Sequence, residues 1–93
     1  MSYELRFHPN ALDEWRKLDS TVREQLKKKL ADRLVEPRVP AARPSGKRDR
    51  CKMKLKSLGY RLVYEVRGAE LVVLVVAVGK RERNAVYRRA ADR

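Results

Sequence analysis

Between Cys51 and Lys56 the chain reads CKMKLK, with Lys52, Lys54 and Lys56 at every second position and Cys51, Met53 and Leu55 between them. Alternate residues of a strand stand about 6.5 to 7 Å apart on one face, close to the separation of successive phosphates along an extended single strand. The three ammonium groups therefore form a ladder that could track RNA. Arg61 follows across a short turn, Arg81 lies just past a later apolar run, and Tyr87 comes six residues after Arg81. Guanidinium groups can neutralise the non-bridging oxygens of a phosphate, and an aromatic ring beside them can stack a nucleobase, which lysine cannot do. The bland role of Tyr87 is to close an edge of the core. General acid-base ribonuclease chemistry commonly uses His or Glu, but the single His8 stands beside Pro9, far in sequence from these cations. It reads as structural or exposed.

The elements that must position these groups belong to one domain spanning residues 1–93, because 93 residues are too few for two cores. Hydrophobic residues at 43% fall in periodic runs, so the 39% of charged residues decorate a folded globule and not a disordered polyelectrolyte. Lys and Arg number 24 against 12 acidic residues, and the net charge of +12 favours a polyanionic partner such as nucleic acid, an acidic protein being the alternative. The surplus is uneven: residues 1–37 carry +1, residues 38–61 carry +8 and residues 62–93 carry +3. Concentration in 38–61 suits a binding surface, where cations must converge, better than general solubilising charge; the competing reading is a solvated basic loop. One Cys and one His exclude an internal disulfide and a metal cluster built from this chain alone. No apolar run approaches a membrane span and MSYELRF has no leader-like pattern, so a cytoplasmic protein is expected.

Tyr3, Leu5 and Phe7 alternate with Glu4 and Arg6, which predicts a strand ended by His8 and Pro9. Ala11, Leu12, Trp15 and Leu18 predict a short amphipathic helix with Asn10 as its cap. Thr21 and Glu24 have capping-box spacing, and Val22, Leu26, Leu30 and Leu34 form one stripe that predicts a second helix up to Pro37. Lys27, Lys28 and Lys29 read as its solvated face, with nucleic-acid contact the competing reading. Residues 38–50, with Pro40, Pro44 and Gly46, read as a basic loop. Then come the cationic strand, a turn at Leu58 and Gly59, YRLVYEV, a turn at Gly68, and LVVLVVAV, whose continuous β-branched run suits a strand buried on both faces. Trp15 and Cys51 take packing roles. The tail after Gly79 has few large apolar residues; Ala85, Val86 and Ala90 permit a helix whose order would depend on a partner. The result is an α+β fold, β-α-α-β-β-β with a permitted C-terminal helix, an antiparallel-dominated sheet packed on two N-terminal helices. Its other face is left open, with the lysine ladder on it.

The segments CKMKLKSLGYRLVYEV, VGKRERNAVY and EWRKLDSTVREQLKKKL resemble the RelE family of toxins over nearly the whole chain. Lys52, Lys54, Arg61, Arg81 and Tyr87 match, in type and spacing, positions that carry activity in that family. The resemblance implies the small fold shared with microbial ribonucleases, cleavage of messenger RNA in the ribosomal A site, and inhibition by a cognate RelB-like antitoxin. It implies attack by the substrate's own 2'-hydroxyl on the adjacent phosphorus, giving a 2',3'-cyclic phosphate and a free 5'-hydroxyl, with no metal or other cofactor. Related toxins of this fold use carboxylate or histidine bases, and this cluster has neither. Lys54 is the first choice of base, with Lys52 beside it. An equal reading has both lysines stabilising charge on the nucleophile and the phosphorane. Arg61 would neutralise non-bridging oxygens and Arg81 would stabilise or protonate the leaving 5'-oxygen, although a guanidinium is a poor acid. Lys56, Arg43, Lys47, Arg48, Arg50, Lys80 and Arg83 are expected to bind the RNA around that centre. Ser45 departs from the family, standing where an RNA-contacting arginine is expected, and Arg43 or Arg48 could substitute for it.

Two other readings use the same surface. A non-catalytic basic module would grip phosphates on the lysine face and cut nothing. A ParE-like toxin would share the architecture, lack the catalytic cluster and act on DNA gyrase. The complete set of Lys52, Lys54, Arg61, Arg81 and Tyr87 favours the ribonuclease.

Overall fold

The structure, a computed structural model, describes residues 2–37, 49–82 and 85–93. Its elements are β1 (Glu4–Phe7), α1 (Pro9–Arg16), α2 (Ser20–Val35), β2 (Arg50–Leu55), β3 (Tyr60–Arg67), a 3-10 turn (Gly68–Glu70), β4 (Val72–Lys80) and α3 (Ala85–Ala91). The element order read from the sequence is the order found, permitted terminal helix included. The sheet runs β1-β4-β3-β2, with β1 parallel to β4 and the other two pairings antiparallel. Antiparallel pairing dominates because β2, β3 and β4 form a meander through short turns. β1 alone joins the sheet after a long excursion of the chain.

Two local details differ from the expected capping. Helix α1 starts at Pro9, and its cap is His8, whose Nδ1 accepts from the Asn10 amide at 3.2 Å. Proline at the first helical position has no N–H to satisfy and its fixed φ suits the helix, so the start moves ahead of Asn10. Helix α2 is capped by Asp19 without a side-chain hydrogen bond, which puts Thr21 inside the first turn and leaves the expected box with Glu24 unmade.

One sheet face packs on α1 and α2. Leu26 and Leu30 of α2 meet Cys51, Met53, Leu55, Leu62, Tyr64, Val73, Val75 and Val78, with Trp15 and Phe7 at the edge, their rings 5.3 Å apart. Each fully buried leucine contributes about 1.5–3 kcal/mol. Trp15 and Cys51 thus have the packing roles expected of them. The buried Tyr64 hydroxyl donates to Pro37 O at 2.7 Å, tying the end of α2 to the sheet, and burial pushes its phenol well above the usual tyrosine range.

The second face is not open, as the sequence had suggested. Between β3 and β4 the register slips: Val63 faces Ala77 but Tyr64 faces Val75, so β4 has one extra residue. That bulge puts Val76 and Ala77 on the same face with Val63, an apolar patch covered by Val86 and Ala90 of α3. That patch is covered, while Lys54 on β2 and Arg6 on β1, which share this face, stay exposed. The tail is thus an ordered helix of the chain itself. Its charged anchors add to this: Arg50 donates to Ala90 O and pairs with Glu65 at 3.1 Å. Burial would raise the Glu65 carboxyl, but hydrogen bonds from Arg67 and Arg50, and their charges, more than offset it and hold the group below its usual 4.5. Its contribution to stability is therefore complete above that value and is lost as pH falls through the lowered one.

Candidate active site

The β2–β3 hairpin sets the lysines and Arg61 on one surface. The strands pair with Lys52 opposite Val63 and Lys54 opposite Arg61, while Met53 and Leu55 alternate into the core. Gly59, at φ +70°, takes the left-handed backbone that closes this turn. Its carbonyl accepts the Arg81 amide at 2.7 Å, so the end of β4 is fastened to the tip of the hairpin and Arg81 is delivered beside it.

The result is an open groove of about 280 Å³ lined by Lys54, Leu55, Lys56, Gly59, Tyr60, Arg61 and Arg81. Among the described residues its lining holds four cations and no carboxylate or imidazole. Like charges opposite each other on neighbouring strands destabilise a sheet, so the Lys54–Arg61 pairing is a cost that a bound polyanion would offset. Lys54 is exposed. Lys52 and Tyr87 adjoin the groove through Arg61: the Lys52 ammonium lies 4.9 Å from the centre of the Tyr87 ring and the Arg61 guanidinium carbon 5.1 Å from it. Ring and cations at this range attract one another. The Tyr87 hydroxyl is buried and has no hydrogen-bond partner among the described residues. The ring therefore lies against two cations while also packing on the apolar cluster beneath α3.

Gly79 lies beneath α3. It pairs with Arg61, and a Cβ there would stand 2.5 Å from the Arg89 guanidinium and 3.5 Å from Val86.

All five expected catalytic residues thus meet: Lys54, Arg61 and Arg81 in the groove, Lys52 and Tyr87 at its border. Lys56 lines it as well. Lys80 pairs with Tyr60, whose ring packs on the α1–α2 core, so the register turns Lys80 towards that face and away from Arg61. Arg50 is not a free RNA contact either, since its side chain is 13% exposed and committed to Glu65 and Ala90. Arg43, Lys47, Arg48 and Arg83 lie outside the described residues, as does Ser45. His8 caps a helix, and the groove does not use it.

A profile of the ParE toxin of type II toxin-antitoxin systems (parDE) matches residues 5–85. The mRNA interferase toxin RelE of Escherichia coli K12 is 56% identical over 93 residues, all of this chain and 98% of that protein. The chain belongs to the RelE/ParE toxin family. Among solved structures, the free double arginine-to-alanine mutant of E. coli RelE superposes on this RelE/ParE chain with a TM-score of 0.91 at 53% identity, covering 99% of this chain and 97% of that one. The toxin of the intact E. coli RelBE toxin-antitoxin complex gives 0.84 at 56% identity, covering 88% of this chain and all of that one. Within the family, the profile carries the ParE description while the relative matched end to end is an interferase. The cationic groove agrees with the latter.

What sequence reasoning missed is the seat of α3: Glu14, Arg89 and Arg93. Arg93 forms a two-pronged pair with Glu14 at 2.8 and 3.0 Å, and Arg89 meets the same carboxylate at 2.8 Å. A signal was present, because Glu14 falls on the Ala11, Trp15, Leu18 stripe of α1, where an acid has no reason to be unless a cation meets it.

Proposed function

We propose that this chain is the toxin of a type II toxin-antitoxin pair and a metal-independent endoribonuclease that cuts messenger RNA on the ribosome. The observation that carries the reading is the groove, in which Lys54, Arg61 and Arg81 converge without an acid or an imidazole, in a chain 56% identical to an mRNA interferase. Such a groove binds a phosphodiester and stabilises charge on it.

In this reading the message's 2'-hydroxyl attacks the adjacent phosphorus, the bond from phosphorus to the 5'-oxygen breaks, and the products are a 2',3'-cyclic phosphate and a 5'-hydroxyl. The 2'-proton leaves as the new bond forms, and the departing oxygen takes one up. Arg61 faces the non-bridging oxygens. Lys52 and Lys54 stabilise the negative charge that grows on the nucleophile and the phosphorane. We assign Lys54 this electrostatic role in preference to that of base because it is exposed at the groove. Arg81, at the outer end of β4, stabilises the leaving 5'-oxygen. Cations alone make a slow nuclease in solution, and the ribosome supplies the rest by holding the message in a reactive geometry. The partner that silences it is a RelB-like antitoxin, of the kind that E. coli RelE carries in its solved complex.

Mapping the 5' ends of cellular message after brief induced expression tests the reading. New ends should appear inside translated codons and be absent from untranslated leaders. Intact message with arrested gyrase would point instead to the ParE-like reading, and intact message with active gyrase to a binding module.

A further inference from the structure

β4 outlasts its neighbour. The last backbone bond from that side is the His8 amide to Val75 O at 2.8 Å, beyond which the edge of β4 has no strand beside it among the described residues. Three side chains take over. Glu14 Oε1 accepts from the Val78 amide at 3.3 Å, Arg93 donates to Val76 O at 2.9 Å, and Arg89 donates to Val78 O at 3.4 Å. These side chains also bind one another, because the one Glu14 carboxylate holds both guanidinium groups. The Glu14 side chain is 21% exposed and that of Arg93 12%, so the two-pronged pair is of the strong, partly desolvated kind. Burial would raise the Glu14 carboxyl, yet the Arg93 hydrogen bond, the Val78 amide and the charges of Arg89 and Arg93 outweigh it and hold the group below its usual 4.5.

This contact matters because α3 has little else. It is seven residues long, too short to persist alone, and buries only Val86 and Ala90. Tyr87 sits on it, with Lys52 and Arg61 against the ring. Arg50 holds the helix through Ala90 O, so losing Glu14 would shift α3 without releasing it.

We propose that Glu14 is a positioning residue for the RNA site: through Arg89 and Arg93 it seats α3, and so sets Tyr87 against Lys52 and Arg61. The proposal rests on the ribonuclease reading, and Glu14 itself touches neither the groove nor the message.

The test is Glu14→Gln in the full chain, which keeps the shape and an oxygen for the Val78 amide while removing the charge. Single-turnover cleavage on programmed ribosomes should slow by about ten- to a hundredfold, as small misplacements of catalytic groups do. The toxin concentration giving half-saturation should stay within about twofold, because the groove cations are untouched. Amide exchange across residues 85–93 should quicken, with the sheet core unchanged. Arg93→Ala should reproduce the loss, and the double variant should be no slower than the slower single, since both act through one contact. Val22→Ala, in the core under the other sheet face, should lower the unfolding midpoint and leave the rate at the parent's value. A parent-like rate for Glu14→Gln, or an equal slowing in Val22→Ala, would overturn the proposal. A parent that cuts nothing on ribosomes marks failure of the functional reading instead, and the positioning role falls with it.

Discussion

Arg81→Ala is expected to slow single-turnover cleavage on programmed ribosomes by at least about a hundredfold while changing the half-saturating toxin concentration by no more than about twofold. The reason is where the residue stands. Its amide is pinned to Gly59 O at 2.7 Å, so the backbone at the end of β4 is fixed and Arg81 lines the groove together with Lys54, Lys56 and Arg61. A cation at the leaving oxygen gains most when that oxygen becomes charged, in the transition state, and little in the ground state. Lys27→Ala, on the exposed face of α2, should alter neither quantity. Loss of affinity with an unchanged chemical step in Arg81→Ala would make this arginine a docking contact.

Lys54→Ala should also be slow, by about ten- to a hundredfold, with a pH–rate profile parallel to the parent's. A base imposes a tenfold rise per pH unit until it is deprotonated, and its removal abolishes that limb. A charge-stabilising ammonium imposes none, so any slope contributed by the substrate's hydroxyl survives the substitution. The comparison of profiles, not the size of the loss, decides between the two roles. A rising limb present in the parent and missing in Lys54→Ala would restore Lys54 as the base.

Much of this site is written in the order of the residues. The ladder at Lys52, Lys54 and Lys56 and the turn at Leu58 and Gly59 carry their own periodicity, so the cationic hairpin could be drawn before any coordinates. The central strand declared itself by its β-branched run, and Val72 to Val78 are buried but for Leu74, which is partly so. Periodicity failed where one residue breaks it. The bulge in β4 turns Val76 and Ala77 to the same side, and this is what gives α3 a place to dock. The tail looked too polar to order itself because apolar content was the measure applied. It is held largely by Glu14, Glu65, Arg50, Arg89 and Arg93, and long-range ion pairs leave no local period. Arg50 was misjudged for the same reason: a cation in a basic run looks like an RNA contact until its carboxylate, fifteen residues away on the next strand, is seen. The helix caps each slipped by two residues because Pro9 and Asp19 each offered a start the apolar stripe did not reveal.

The central claim is that the cationic groove cuts message only when the ribosome presents it. The direct measurement is incubation of the purified chain with one defined message, with and without programmed ribosomes, followed by mapping of the 5' ends and chemical identification of the new termini. The account predicts cleavage within the codon in the A site, with a 2',3'-cyclic phosphate and a 5'-hydroxyl, and no comparable cutting of naked RNA. Equal cutting of naked RNA, or intact message in both samples, would contradict it.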